Sequence, residues 1–532
     1  MNLLIFLTCV TICAKDVLSA RILGVFMTPS YSHQVVYQPI WKELSLRGHD
    51  VTVITPNPLH DPKLTNLTEI DVSSSYKIFR EANEAELLFK KSMLGEVKRF
   101  SMLYEKLNHH QFSNPEVQAL IRNKNQTFDL LLVEYLYPSM YALKDVFDCP
   151  MIGITSLGLT AYGNEIIGNP KNPAFDPDNT FTVSSNLSFM ERLSSAAFDI
   201  FTRISSKYIL LKKLDKLLPQ YIGQEIRPLH EICMEFSLVI VNSNLALRNA
   251  KPTVPNLIDI SGIHLQKPRP LPEDLRCFLN SSNEGVIYTS LGSNMKSALL
   301  PQYKLDAIME VFSQLPYKVL WKFEKEDLPN KPANVEIRKW LPQQDVLSHP
   351  NVKLFISQAG LQSIDEALLG KVPMLLVPFF ADQHFNAHHM VEKGAALSLD
   401  YHTATKEEFK NSILELMNNP KYQNHVDELS SIASDQMVPA LEKAVWWIEY
   451  VLRHDGAKHL SYSGKHIPFY QFYMLDLLAV FITSVVLFIY ISVFTIKRIF
   501  QLLSYMRKSI KTKKSKNIGY YKGTNTHIYS FF

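Results

Sequence analysis

Runs of apolar residues punctuate this chain at intervals, and their order predicts alternating strands and helices. Arg21 to Met27 is one run; a loop Thr28–Ser32, a helix-compatible stretch and Gly48-His49-Asp50 separate it from Val51–Thr55, a β-α-β opening. Phe128–Val133 and Cys149–Thr155 are further strands. From Leu187 to Leu218 apolar residues recur at helical spacing with Lys and Arg between them. These amphipathic helices would roof a cleft, lie against a membrane or form ordinary domain surface. The Pro-rich stretch Val254–Asp274 reads as a linker, after which the alternation resumes with Gly285–Ser290, Tyr317–Phe323, Val335–Trp340, Val352–Ile356 and Pro373–Phe380. Trp446 opens a late helix.

The two ends read differently. Leu3–Ala14 is apolar and is followed by Leu18-Ser19-Ala20, the small-residue pattern of a signal cleavage site, although its first residues lack the usual positive charge. Leu477–Ile496 is almost wholly apolar and about twenty residues long, enough for a ~30 Å hydrocarbon core. Nine Lys or Arg and no Asp or Glu follow it, which places the tail in the cytosol and the bulk in the lumen. Sequons at Asn66, Asn125, Asn186 and Asn280 all fall on that bulk.

Composition then narrows the class. With 532 residues, 46% hydrophobic and 20% charged, the chain is globular and exceeds one ordinary domain. The net charge of +4 becomes −5 once the nine cations of the tail are set aside, so basicity belongs to a membrane-flanking segment and gives no argument for nucleic acid. Cys9 and Cys13 leave with the signal; Cys149, Cys233 and Cys277 form no disulfide framework and read as buried thiols, one disulfide being the alternative.

The densest chemistry lies between Phe355 and Gln383. A strand ends at Ser357-Gln358-Ala359-Gly360, a helix carries Gln362, Ser363 and Glu366, and the run after Gly370 ends at Asp382-Gln383. Ligands gather at the carboxyl edge of parallel sheets, where small residues let a phosphate approach a helix N-terminus. In order and spacing, Gln358, Gly360, Gln362, Ser363, Glu366, Pro373, Pro378, Asp382 and Gln383 resemble the signature of the membrane-bound UDP-glycosyltransferases, the arthropod members in particular. An ordinary buried β-α-β unit would explain the apolar runs but not these polar residues at strand ends.

The resemblance assigns roles. His33, just past the first strand, is the general base that takes the acceptor's proton, an imidazole with pKa near ~6.5 suiting that task. The family element that follows it stands here as Arg47-Gly48-His49-Asp50-Val51-Thr52, with His49 a structural turn residue. Glu134 holds the place of the acid that orients the base and would accept the imidazole N–H; relatives carry Asp there. Trp340 and Gln343 match the pair that stacks on and hydrogen-bonds uracil. Ser290, Gly292 and Ser293, with Gln358, Gly360, Gln362 and Ser363, match the diphosphate site. Glu366 matches the ribose-binding acid, and Asp382 with Gln383 the pair that holds the sugar hydroxyls. Gln358 stands where vertebrate relatives have His, and Ala359 where Gly is usual. His384, His388 and His389 have metal-like spacing, but Phe385 occupies the place of the Glu that zinc proteases need, so no metal is expected.

The expected fold is α/β, of the GT-B type: two facing Rossmann-like domains with a cleft between them. Its expected segments are a signal (1–20), an acceptor domain (21–250), a linker (251–284), a UDP-sugar domain (285–445), a return helix with a juxtamembrane piece (446–473), a transmembrane helix (474–496) and a basic tail (497–532). The expected activity is inverting transfer of a hexose, glucose first and glucuronic acid second, from a UDP-sugar to small lipophilic acceptors, in detoxification or in hormone or pigment conjugation. UDP-sugar is a co-substrate and no cofactor is implied. A membrane-tethered lipophile-binding protein with little turnover is the reading from another class. The expected setting is the endoplasmic reticulum membrane, type I and single-pass; oligomerisation is left open.

Overall fold

The computed structural model describes residues 19–84, 93–178, 187–223, 225–244 and 246–523. Residues 1–18 of the expected signal, the sequon at Asn186 and the end of the tail lie outside the described residues. Two compact units are present, residues 1–465 and 466–532.

The first unit contains two sheets. In the first, β1 (Arg21–Val25), β2 (Asp50–Thr55), β3 (Leu67–Asp71), β4 (Leu130–Glu134), β5 (Met151–Thr155), β6 (Phe236–Asn242) and β7 (Leu257–Ile260) lie parallel in the order β3-β2-β1-β4-β5-β6-β7. Successive side chains of a strand point to opposite faces, so both faces need cover. Leu23, Val25, Leu131 and Val133 enter one core, and Ile22, Leu130 and Leu132 the other. Helix α1 (Tyr31–Leu46) covers the second face with Val36, Tyr37, Ile40, Trp41 and Leu44. Helices α2 (Ala161–Ile167) and α3 (Phe189–Ser205) lie between β5 and β6.

In the second sheet, β8 (Val286–Ser290), β9 (Lys318–Lys322), β10 (Val335–Arg338), β11 (Val352–Ser357), β12 (Met374–Leu376) and β13 (Ala396–Ser398) are again all parallel, in the order β10-β9-β8-β11-β12-β13. Helix α4 (Leu361–Leu369) follows β11 and α5 (Gln383–Glu392) follows β12. The strand order reverses between β1 and β4 in one sheet and between β8 and β11 in the other, and crevices open at such reversals.

Helix α6 (Ala440–Arg453) carries the chain back to the first sheet. Its Ala440, Ala444, Val445, Ile448 and Val451 join the core made by α1 and Ile22. The buried Glu449 ties it there, meeting Arg47 at 3.3 Å, His49 Nε2 at 3.7 Å and Arg453 at 3.6 Å. His49 is fully buried, its Nδ1 accepts from the Ala20 amide, and burial pushes its pKa down. The Arg47-Gly48-His49 element is therefore a clamp for the returning helix, and Gly48 at φ +93° makes its turn.

Several predicted boundaries shift. β10 stops at Arg338 and leaves Trp340 in a loop. β12 is three residues long, because Pro373 and Pro378 bracket the run and offer no N–H to a neighbouring strand. The late helix starts at Ala440 behind Pro439, six residues before Trp446. Cys277 is exposed rather than buried, while Cys149 and Cys233 are buried, and none of the three is in a disulfide. Asn125 and Asn280 are exposed. The Asn66 amide nitrogen instead donates to Ser45 O (2.8 Å) and His49 O (2.6 Å), a structural tie that a glycan on that nitrogen would break.

The second unit is dominated by α7 (Leu475–Gly523), the one helix among the described residues long and apolar enough to cross a membrane. It continues past the expected end at 496, since no proline and no glycine before Gly519 interrupts it. The basic residues ride on the same helix.

The clamp yields a prediction. Glu449→Ala removes the one carboxylate that Arg47, Arg453 and the buried His49 share at the returning helix, and should destabilise the first unit by about 1 kcal/mol. A lowered melting temperature of the full chain in detergent checks it; an unchanged melt contradicts the clamp.

Candidate functional site

Each reversal delivers loop residues into the crevice between the sheets. At the first, Glu134 ends β4 fully buried. Its Oε2 accepts from the Thr28 amide at 2.9 Å and its Oε1 from Tyr37 Oη at 3.2 Å. Tyr37 is buried beside this carboxyl, and burial followed by the charge of Glu134 pushes its pKa well up, so the phenol keeps its proton. Gln34 fixes the intervening loop: its amide nitrogen donates to Thr28 O at 2.8 Å and its oxygen accepts from Thr55 at 2.9 Å.

His33 occupies the first turn of α1. Its Nδ1 is 2.8 Å from Ser156 Oγ and 3.7 Å from Glu134 Oε1. The expected direct hydrogen bond from imidazole to Glu134 is not present: Ser156 makes that bond, and the Glu134 carboxylate stands within ion-pair distance of the ring. Ser156 is engaged through every polar group. Its amide donates to Tyr37 Oη (3.1 Å), and its carbonyl accepts from Asn242 (3.3 Å) and Gln362 (3.0 Å). No motif marks it in the sequence; its only signal is that it directly follows the strand ending at Thr155.

At the second reversal Ser290 and Ser357 are paired neighbours at the ends of β8 and β11. Gly292 has φ +78°, and a Cβ there would lie 2.3 Å from Gln358 Nε2, so the Gln358 amide rests against bare backbone. Gln358 Oε1 and Ser293 Oγ are buried without a hydrogen-bond partner. Buried polar atoms are ordinarily paired, so these two fit a polar ligand. Ala359 sits at φ +66°, a left-handed position that explains why glycine is usual there. Gly360 is the N-cap of α4 and offers no side-chain cap, which leaves the amides of the first turn available to an anion.

Gln362 has a further engagement that the sequence did not show: its side-chain nitrogen crosses to the first sheet and donates one N–H to Ser156 O, and its backbone carbonyl meets His264 Nε2 at 3.2 Å. Ser363 Oγ accepts from Gln343, whose Nε2 donates to Ser363 Oγ (2.9 Å) and Glu366 Oε2 (2.6 Å) and whose Oε1 accepts from Tyr288 (3.0 Å). Burial pushes the Glu366 carboxyl up to about 7. Trp340 is 57% exposed, with Tyr31 edge-on at 5.1 Å and Lys322 Nζ 5.6 Å from its ring centre. An open indole face is left for a planar ring.

Asp382 caps the start of α5, and its Oδ2 accepts from Asn386 at 2.7 Å. Burial raises its pKa, against the lowering influence of Asn386 and of His33, which ties it electrostatically to the first reversal. Gln383 Oε1 accepts from the Phe379 and Phe380 amides at 2.8 and 3.2 Å, so only its nitrogen is left for a ligand. Of the other histidines of α5, His388 pairs with Glu392 at 3.4 Å and His389 Nδ1 lies 3.0 Å from Phe385 O. Among the described residues no group of three or more His, Cys, Asp or Glu is arranged to hold a metal ion.

Comparison with known proteins agrees with this layout. Residues 21–515 match the family described as UDP-glucoronosyl and UDP-glucosyl transferase. UDP-glycosyltransferase UGT5 of the insect Dactylopius coccus is 35% identical over 484 residues, covering 89% of this chain and 92% of that protein. UDP-glucosyltransferase 2 of the same insect is 32% identical over 507 residues, covering 93% and 96%. Among solved structures, the glycotransferase of kitacinnamycin superposes with a TM-score of 0.56 at 18% identity, over 81% of this chain and 99% of its own, and shows the shared GT-B fold.

Gly292→Ala should push the Gln358 amide aside and impose left-handed strain of roughly 1 kcal/mol. Calorimetry is then expected to show weaker binding of a nucleoside diphosphate with only a small fall in melting temperature. Unchanged affinity would detach Gln358 from the anion site.

Proposed function

Because the chain belongs to the UDP-glucoronosyl and UDP-glucosyl transferase family, we propose that it moves glucose from UDP-glucose, with inversion, onto a hydroxyl of small lipophilic acceptors. One observation carries this reading: His33, held by Ser156, stands at one reversal, and at the other stand the unpartnered Ser293 Oγ and the uncapped start of α4. The imidazole suits proton removal, and the hydroxyl and first-turn amides can donate to a diphosphate.

In this mechanism the acceptor hydroxyl gives its proton to the free nitrogen of His33 as its oxygen attacks the anomeric carbon. Glu134 steadies the developing imidazolium by its charge at 3.7 Å, the part an acid plays in a catalytic triad. UDP departs toward α4, where Ser293, Gln358 and the amides after Gly360 receive the charge without a cation, and Ser290 and Gly292 shape that loop. Trp340 stacks on uracil with Gln343 at its edge, Glu366 accepts from the ribose, and Asp382 with the Gln383 nitrogen holds the hexose. No cofactor or metal takes part. A cavity of about 130 Å³ among Tyr104, Tyr135, Tyr141, Tyr162, Leu210 and Leu214 receives the lipophilic body of the acceptor.

Glucose is chosen over glucuronic acid because a relative 32% identical over 507 residues is named for glucosyl transfer. The catalytic unit is placed in the lumen of the endoplasmic reticulum, with signal 1–20, acceptor domain 21–250, linker 251–284, donor domain 285–445 and α7 as a type I anchor, and with glycans at Asn125, Asn186 and Asn280. Microsomes given labelled UDP-glucose, UDP-glucuronic acid and a panel of phenols and steroids test the reading. Glucosyl transfer supports it, glucuronosyl transfer reverses the donor, and acceptor binding without transfer favours a carrier.

Two variants examine the roles. His33→Ala should lower turnover by roughly 10² to 10⁴ with UDP-glucose binding retained, and turnover above about a tenth of wild type places the base elsewhere. Glu366, titrating at about 7, must be ionised to accept from ribose, so UDP-glucose affinity should rise with pH across that value. The rise should vanish in Glu366→Gln; a flat profile between about pH 6 and 8 in the wild type contradicts the ribose contact.

A further inference from the structure

The chain passes between its two sheets twice, and one cavity of about 350 Å³ lies against both passages. The outward passage lines it between Ser261 and Gln266, just after β7; the return lines it at Gln436 and Pro439, between the helix Pro420–Ser434 and α6. Two hydrogen bonds tie its walls together. Gln436 Nε2 donates to Ser261 O at 3.3 Å, joining one passage to the other, and Asn244 Nδ2 donates to Asp365 Oδ1 at 2.8 Å, joining the end of β6 to α4. Ser434, Gln436 and Pro439 are exposed and give the cavity its mouth. None of the residues assigned above to donor, acceptor or base lines it.

One charged side chain stands in its wall. Asp365 is 2% exposed, and its Oδ2 is buried without a hydrogen-bond partner. An unanswered buried carboxylate oxygen is costly, so the position suits a ligand that brings a donor. Burial pushes this carboxyl up to about 7, against the lowering influence of Asn244 and Arg248. Arg248 answers it only in part, since Asp176, Asp259 and Asp382 share the same guanidinium. The adjacent Glu366 turns elsewhere, to Gln343. Among the described residues no Lys, Arg or His lines the cavity; Pro39, Ile263 and Leu369 supply apolar wall beside the hydroxyls of Ser261 and Ser430. A primary ammonium brings three N–H donors and the opposite charge that favours an ionised carboxylate. An apolar cavity of about 150 Å³ holds benzene, so one of about twice that volume has room for a cyclohexane ring with a short arm.

We propose that this cavity is a second ligand site, for a small organic cation whose ammonium donates to Asp365 Oδ2 and whose aliphatic body rests on Pro39, Ile263 and Leu369. An occupant touching both passages stabilises the assembled pair of sheets.

The test titrates the full chain, in detergent and with UDP present, with cyclohexylmethylammonium, and in parallel with cyclohexylmethanol and cyclohexanecarboxylate. Calorimetry gives affinity and a thermal melt gives stability. The amine should bind saturably, raise the melting temperature and exceed both analogues by about tenfold or more, the worth of one charge-assisted hydrogen bond. Asp365→Asn keeps an oxygen for Asn244 and loses the charge; it should weaken the amine by about tenfold and change the alcohol little. Ala433→Phe fills the cavity from the helix Pro420–Ser434 without touching Asp365, and should abolish amine binding while UDP affinity stays unchanged. This second variant decides the matter if Asp365→Asn does not fold. Absence of saturable amine binding to the wild type overturns the proposal. So does an alcohol that binds as tightly as the amine, which leaves an apolar cavity only, or an amine whose binding survives either variant, which places it elsewhere.

Discussion

Two parallel sheets can act on one pair of substrates only if the edges where their strand orders reverse are held against each other. In this protein that constraint is met by polar bonds at the crevice and an apolar seam behind it. Gln362 reaches from α4 to the carbonyl of Ser156, Asn244 donates to the buried Asp365 at 2.8 Å, and Ser30 donates to Asn294 at 3.0 Å. Each bond joins an element of the first sheet to one of the second. Helix α6 closes the seam by crossing back to the first core, where Glu449 is gripped by Arg47 and His49. Ser156 joins the two, since its carbonyl takes the bond from the second sheet while its hydroxyl holds His33.

The departures from the family pattern have physical readings in this setting. Glu134, with its extra methylene, keeps its carboxylate 3.7 Å from His33 Nδ1 while anchoring the Thr28 amide and Tyr37, and Ser156 Oγ makes the 2.8 Å hydrogen bond to the imidazole. Ala359 carries left-handed strain that a glycine would not, and its carbonyl is held by Asn386 at 3.1 Å. The Gln358 amide lies over Gly292 beside the uncapped start of α4, so Gln358 itself offers a neutral group to an anion there.

Much of this was legible in the sequence, for identifiable reasons. Strands buried on both faces appear as continuous apolar runs, Ser357-Gln358-Ala359-Gly360 marks the end of β11 by its small and polar residues, and Asp382-Gln383 opens α5. Ser156 was not legible, since a serine after a strand carries no pattern of its own and becomes a partner of His33 only when β5 lies beside β4. The bond from Gln362 to Ser156 was hidden for the same reason, since it exists only where the second sheet meets the first. The period of Leu187–Leu218 showed that its helices are amphipathic, and only packing showed that the apolar side of α3 faces outward.

The central claim is that the two reversals form a single active site. A structure of the full chain with UDP and a phenolic acceptor tests it most directly. The account predicts uracil against Trp340, the diphosphate between Ser293, Gln358 and the first turn of α4, and the phenol oxygen about 3 Å from the ring nitrogen of His33 that Ser156 does not hold. A diphosphate bound away from α4, or an acceptor oxygen out of reach of His33, contradicts it.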